Sequence, residues 1–200
     1  VLDSVGPLEL AFLRFSAGGL FLLCFLPMYL RARKLRITPR FAAMAFFFGL
    51  IGVTTSNVCF NFALLYIGAG PAATIYATMP MMVFIMAVLF LREEFSGAKL
   101  TGVLLGLGGV ALLGATKVSA TFSPLGFALS LAATFAFSVF TVLMKRFGGD
   151  YVGLPLIAVA TIFGGMCLGP LAWAFEDMGR WNPASWDGLA VAYLALGPAG

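Results

Sequence analysis

Residues 8–40 read LELAFLRFSAGGLFLLCFLPMYLRARKLRITPR, and this stretch decides the fold class. Residues 8–30 are almost wholly apolar. Their length is close to the ~20 residues that a helix needs to cross about 30 Å of hydrocarbon. The next ten residues carry Arg31, Arg33, Lys34, Arg36 and Arg40, five cations on one connection. An apolar run of this length, closed by a basic connection, reads as a membrane span with its flank.

The same alternation runs through the chain. Further apolar stretches occupy residues 41–67, 71–91, 100–116, 125–144 and 153–175, and a seventh, 188–200, is about half a crossing. The expected fold is all-α: a polytopic helical membrane protein with six full spans and part of a seventh. Composition agrees, with 62% hydrophobic and 10% charged residues, against about 25% charged in soluble domains. The net charge of +4 does not point to nucleic acid, because the basic residues form no stripe with interleaved aromatics. They sort by connection instead. Of the 12 Lys and Arg, nine fall on every second connection: the five above, then Arg92 and Lys99, then Lys145 and Arg146. Lys117 and Arg180 lie on the opposite side, and Arg14 lies within a span. Cytoplasmic loops carry the excess of Lys and Arg, so loops 31–40, 92–99 and 145–152 are expected in the cytoplasm, across the plasma membrane. Trp181, Trp186, Glu176, Asp177 and Asp187 then face outward.

Chemistry of the enzymatic kind finds no residues. There is no His, and Asp and Glu are confined to loops and span ends, so no acid–base pair lies within the membrane. A Ser or Cys nucleophile would lack a base. Cys24, Cys59 and Cys167 lie in apolar spans without metal or disulfide spacing, and read as small buried hydrophobes. Neither an enzyme nor a metal or cofactor is expected.

A faint internal echo relates the first and sixth spans. Val5-Gly6-Pro7-Leu8 opens one and Val152-Gly153-Leu154-Pro155 the other, followed by Gly18-Gly19 and Gly164-Gly165, then Pro27 and Pro170. The two are five crossings apart and so run in opposite directions. Repeats of opposite topology mark secondary transporters, whose site lies near the midplane between halves; chance similarity of glycine-rich helices is the alternative. In the fourth span Gly102, Gly106 and Gly109 share a face. Such a face lets helices approach closely in lipid, within the chain or across a homodimer.

Polar residues inside the spans are the candidate pathway. Arg14 sits about 9 Å along the helix from the outer end of the first span. A central Arg costs about +2.5 to +3.5 kcal/mol on insertion scales, so it either snorkels outward near Glu9 or faces a wet cavity and an anionic group. Thr54, Asn57 and Asn61, spaced i, i+3, i+7, form one stripe that must turn inward, because an Asn amide facing lipid is unsatisfied. It either binds neighbouring helices or grips a polar solute. Pro80, in the middle of the third span, removes an N–H and kinks the helix one turn after Tyr76, with Thr74 and Thr78 beside it. Ser130, Thr134, Ser138 and Thr141 line the fifth span toward Lys145. They either back-bond to their own helix or continue the cavity wall.

These residues carry a resemblance. P-x-E-L-A-F-L-R-F (Pro7 and Glu9 to Phe15), N-x-x-F-N-F-A-L-x-Y-x-x-A (Asn57 to Ala69), the central Pro80, L-R-E-E-F-S (Leu91 to Ser96) and G-V-A-L-L-G (Gly109 to Gly114) follow one another as in the EamA-type branch of the drug/metabolite transporter superfamily, which the chain resembles throughout. Glu93 matches that pattern, while Arg92 and Glu94 stand where Gly and Arg are more usual, and Phe135 where Trp is frequent. The resemblance implies ten helices in two inverted five-helix repeats that transport small metabolites by alternating access. Residues 1–116 would then be helices two to five of the first repeat, and 117–200 the start of the second, helices six, seven and part of eight. It also implies that Arg14, Asn57, Asn61, Tyr76 and Pro80 line the pathway; Thr161, near the counterpart of Arg14, shows that the Arg is not duplicated. The expected function is movement of a small polar metabolite, amino-acid-like or related, in the export direction. The competing reading is a membrane scaffold whose polar stripes, Thr54, Thr134 and Ser138 among them, only join helices. The expected partners are the solute and the bilayer, with no nucleic acid.

Overall fold

The computed structural model describes residues 6–32, 34, 36–92, 97–115 and 123–175. Within them every regular element is helical. The elements are α1 (Pro7–Ala32), α2 (Pro39–Phe48), a π-helical turn (Gly49–Thr55), α3 (Ser56–Ile67), α4 (Ala69–Tyr76), α5 (Met79–Leu91), α6 (Gly97–Ala115), α7 (Pro124–Phe147), a 3₁₀ turn (Gly149–Tyr151) and α8 (Leu154–Phe175). Five stretches are long and apolar enough to cross a membrane: Leu8–Arg31, Pro39–Ile67, Ala69–Leu91, Pro124–Phe147 and Leu154–Phe175. The chain is thus a polytopic helical membrane protein. Its outward side chains suit lipid: Trp173, Leu105, Leu112, Met28 and Leu89 are all well exposed, an apolar surface that water would not tolerate at this extent. The expected fourth full span falls on α6, whose apolar part among the described residues, Leu100–Gly109, is shorter than these five, and the seventh stretch, 188–200, lies outside the described residues. So do Val5, Arg33, Glu93, Glu94, Ser96, Lys117, Glu176, Asp177, Arg180, Trp181, Trp186 and Asp187.

Local chemistry sets the element ends. Thr38 caps α2 by accepting a hydrogen bond from the Phe41 N–H at 3.2 Å, and Pro39 follows in the first turn, where its missing N–H costs nothing. Gly68, at φ +73°, ends α3 and immediately precedes α4. Only a residue without a Cβ adopts that left-handed turn cheaply, and it lets spans two and three form a hairpin with one connecting residue.

The chain divides into two compact units, residues 1–54 with 147–200 and residues 55–146. In the first, α8 packs against α1 and α2. Glycines make the approach close. A Cβ added at Gly165 would lie 3.2 Å from the Ser16 backbone N, one at Gly169 3.0 Å from the Phe12 ring, and one at Gly164 2.5 Å from Val53 Cβ. A Cβ at Gly49 would collide with the Ala160 carbonyl. One glycine of each echoed pair therefore meets the opposite helix: Gly19 faces Ile162, and Gly165 faces Phe15 and Ser16. At the basic connection, the Tyr151 hydroxyl donates to the Arg36 carbonyl at 2.6 Å and the ring stacks on Phe41 at 4.4 Å.

In the second unit, α4 packs on α3 and α6, and α5 on α6. Ser56 Oγ on α3 donates to the Ala133 carbonyl of α7 at 3.1 Å, and Gly126 sits against Tyr66 and Ile67. A relay of rings, Phe60 to Tyr76 at 5.0 Å, Tyr76 to Phe137 at 6.3 Å and Phe137 to Phe140 at 5.5 Å, crosses its interior.

Two local expectations change. The second span is not one regular helix: the π-helical turn Gly49–Thr55 widens it just before the Asn residues. The third span is disturbed in the turn between Tyr76 and Pro80, where a proline kink is expected: regular helix lapses at Ala77–Thr78, both residues staying right-handed. The Ala77 N–H still reaches the Ala73 carbonyl, the Thr78 N–H tightens onto the Ile75 carbonyl, and α5 begins at Met79. A proline disfavours helical backbone in the residue before it, so α5 can start with Pro80 in its first turn but α4 cannot run through it. Finally, the Gly102–Gly106–Gly109 face makes no close helix contact, since nothing among the described residues lies within 4 Å of a Cβ added at any of the three.

Candidate functional site

The polar residues singled out by sequence fall into different settings. In the first unit Arg14 is half-buried, with its guanidinium 5.2 Å from the Phe15 ring centre. Glu9 lies in the first turn of the same helix and is 3% exposed, more deeply buried than a span-end carboxylate was expected to be. Thr54 is buried, and its hydroxyl donates to the Gly164 carbonyl at 3.0 Å. That bond ties the π-helical turn to α8 where Gly164 allows the approach.

The other six lie in the second unit. Asn57 and Asn61 are half-buried on α3. The expected stripe is therefore split, with Thr54 in one unit and the Asn residues in the other. On α7, Thr134 Oγ1 donates to the Ser130 carbonyl and Ser138 Oγ to the Thr134 carbonyl, both at 2.8 Å, and both residues are fully buried. These hydroxyls follow the i−4 back-bonding pattern that lets Ser and Thr sit inside an apolar helix. Tyr76, the last residue of α4, holds the centre of the ring relay. Pro80 opens onto a cavity.

That cavity, in the second unit, has a volume of about 870 Å³, a size usual for small-molecule sites (~300–1,000 Å³). Three helices wall it. From α5 come Pro80, Val83, Phe84, Ala87 and Leu91; α6 adds Gly102, Val103, Gly106 and Leu107; α7 adds Phe137, Thr141, Val142 and Lys145. Among the described residues its wall is apolar but for two polar side chains, those of Thr141 and Lys145. The Thr141 hydroxyl donates to the Phe137 carbonyl at 2.9 Å and keeps its lone pairs as acceptors. At one end the helices are fastened, because the Arg146 guanidinium donates to the Phe90 carbonyl in the last turn of α5.

Of the eight sequence-derived pathway residues, only Pro80 lines this cavity. Tyr76 reaches it indirectly, through Phe137. Sequence reasoning missed Phe84, Phe137 and Lys145 as lining residues, although the spacing of Phe137, Thr141 and Lys145 (i, i+4, i+8) was open to view. Phenylalanine facing a cavity and phenylalanine facing lipid carry the same signal.

Comparison with known proteins supplies the context. The model of a family described as the EamA-like transporter family matches residues 1–115. An uncharacterized transporter of Archaeoglobus fulgidus is 25% identical over 166 residues, covering 83% of this chain and 57% of that protein. The uncharacterized transporter YdfC of Bacillus subtilis is 27% identical over 200 residues, covering 98% of this chain and 63% of that protein. The chain thus spans about six-tenths of the length of these curated relatives. A solved crystal structure shares the fold with a TM-score of 0.79 at 22% identity, covering 98% of this chain and 67% of the other.

Proposed function

Because the chain belongs to the EamA-like transporter family, a family of membrane transporters, we propose that it forms the greater part of a carrier that moves small polar metabolites by alternating access, in the export direction. The observation that carries this reading is the interruption of the third span at Ala77–Thr78 beside the α5–α6–α7 cavity. Irregular backbone within a hydrophobic span is tolerated only in protein or beside water. Broken helices at a solute cavity are a recurrent device of secondary transporters. The packing of α1 against α8, the two spans of the sequence echo, supports a pair of inverted repeats. In this reading Arg14 meets an anionic group, Asn57 and Asn61 hydrogen-bond the solute, and Pro80 shapes the helix that moves. The basic connections 31–40, 92–99 and 145–152 face the cytoplasm.

The test is counterflow. The full-length protein is reconstituted into liposomes loaded with a panel of amino acids and related organic solutes. Accelerated exchange of at least one solute, slowed by Arg14→Gln or Asn61→Ala, is the expected outcome. Exchange no faster than in empty liposomes, across the panel, contradicts the reading. A scaffold reading draws on one observation of its own: the Thr54, Thr134 and Ser138 hydroxyls all bond helix carbonyls. On that reading the counterflow rate stays at background while the protein remains folded.

A further inference from the structure

The connection from α1 to α2 concentrates charge. Residues 31–40 hold five of the 12 Lys and Arg of the chain and no acidic residue. Connections 92–99 and 145–152 hold two each, so a bias of topology alone does not account for five. The connection also has a defined shape. Lys34 takes the left-handed backbone at φ 54°, and its N–H closes a turn onto the Arg31 carbonyl at 3.2 Å. Glycine usually takes such a position just past a helix. A side chain there carries a backbone cost, and this residue is exposed. Further along, Arg36 is pinned through its backbone. Tyr151, in the 3₁₀ turn ahead of α8, donates to the Arg36 carbonyl and stacks its ring on Phe41 of α2.

Arg31, Lys34, Arg36 and Arg40 are all exposed along this path. Arg31 suits the last turn of α1, where a cation complements the helix dipole. Arg40 stands in the first turn of α2, where a cation opposes it. The charge of Arg40 does not serve its own helix. Between Arg36 and Arg40, Ile37 is 54% exposed. Asp150, next to Tyr151 in sequence, is exposed as well, and a single carboxylate leaves the loop strongly positive.

We propose that this loop is a docking surface for anionic phospholipid headgroups of the leaflet it borders. The exposed cations meet the phosphates, and Ile37 enters the boundary between headgroups and acyl chains, where an apolar side chain leaves water. Basic clusters of about four to eight residues beside a membrane span attract anionic headgroups, by about fivefold in affinity for each cation. A lipid held there clamps the corner where α1 ends, α2 begins and Tyr151 ties in the segment leading to α8. The inference holds whichever solute is carried.

The detergent-purified full-length protein is titrated with phosphatidylglycerol or phosphatidylcholine of equal chain length, and bound lipids are counted by native mass spectrometry. Phosphatidylglycerol should bind at least about tenfold tighter. Arg36→Gln combined with Arg40→Gln should remove most of that preference, and the corresponding double Lys variant should keep it. Arg92→Gln with Lys99→Gln, on another basic connection, should leave it intact. Tyr151→Phe keeps every charge and should weaken the preference by less than the double Gln variant. If the double Gln variant does not fold, the single variants decide, each expected to lose about fivefold. Equal affinity for the two lipids overturns the inference. So does a preference that survives the Gln variants, or one that falls as far with Arg92→Gln and Lys99→Gln. Displacement of the lipid by millimolar inorganic phosphate would make this a site for soluble anions, and overturns it too.

Discussion

The seam of α8 in the first unit and the α6 face in the second use glycine in opposite ways. In the first, Gly49, Gly164, Gly165 and Gly169 are contact points where α8 presses against α1 and α2, with neighbours so near that an added methyl has nowhere to go. In the second, an added Cβ at Gly102, Gly106 or Gly109 meets nothing within 4 Å among the described residues, and the first two of them wall the cavity. In lipid, small residues let backbones approach and gain dispersion contacts that hydrophobicity cannot supply. The same absence of a side chain, placed where helices stay apart, leaves room for a ligand. A glycine face thus reports that volume is kept free, and only the neighbours decide whether a helix or a cavity takes it.

Substitutions separate the two uses, and the largest effect belongs to the closed seam. Gly164→Ala puts a methyl group 2.5 Å from Val53 Cβ and 2.7 Å from the Gly49 carbonyl. Overpacking of this kind costs about 1–3 kcal/mol, so the detergent-solubilised protein should melt several degrees lower by fluorescence-detected size exclusion. An unchanged melting point would show that the seam can part. Gly106→Ala should have the opposite sign. The new methyl meets open space, and alanine is favoured over glycine in a helix interior by about 0.5–1 kcal/mol, so stability should be held or raised while solute affinity falls. A lower melting point there would mean that the face is packed.

Smaller effects test the polar contacts. Thr54→Val removes the 3.0 Å bond to the Gly164 carbonyl, and should cost about 0.6 kcal/mol, the usual value for a hydrogen bond between membrane helices. Ser138→Ala removes a bond within one helix turn. Its effect on melting should be smaller still, below about 0.5 kcal/mol, unless the hydroxyl also serves a solute, in which case counterflow falls while stability does not.

The spans were legible because hydrocarbon thickness dictates their length, and residues 8–30, 41–67, 71–91, 125–144 and 153–175 each reappear, to within one residue, in a helical stretch long and apolar enough to cross a membrane. The echo of Gly18-Gly19 in Gly164-Gly165 was equally open to view, and the packing of α1 on α8 gives it physical sense. Other features were hidden for identifiable reasons. The π-helical turn at Gly49–Thr55 answers to the close approach of Gly164, a neighbour more than a hundred residues away in sequence. Pro80 announced a disturbance, but its placement at Ala77–Thr78 depends on where the flanking turns find carbonyls. The cavity itself was illegible: within a membrane, a side chain turned toward an apolar cavity and one turned toward lipid obey the same composition rule. Only Lys145, too polar for lipid and next to a membrane end, offered a hint.

The most direct test is thiol accessibility at Gly106. In a background with Cys24, Cys59 and Cys167 replaced by alanine, Gly106→Cys is exposed in native membranes to a water-soluble, membrane-impermeant methanethiosulfonate applied from the cytoplasmic face. The account predicts labelling within minutes. A thiol that stays unmodified by this reagent, or reacts only with a lipid-soluble maleimide, would contradict it.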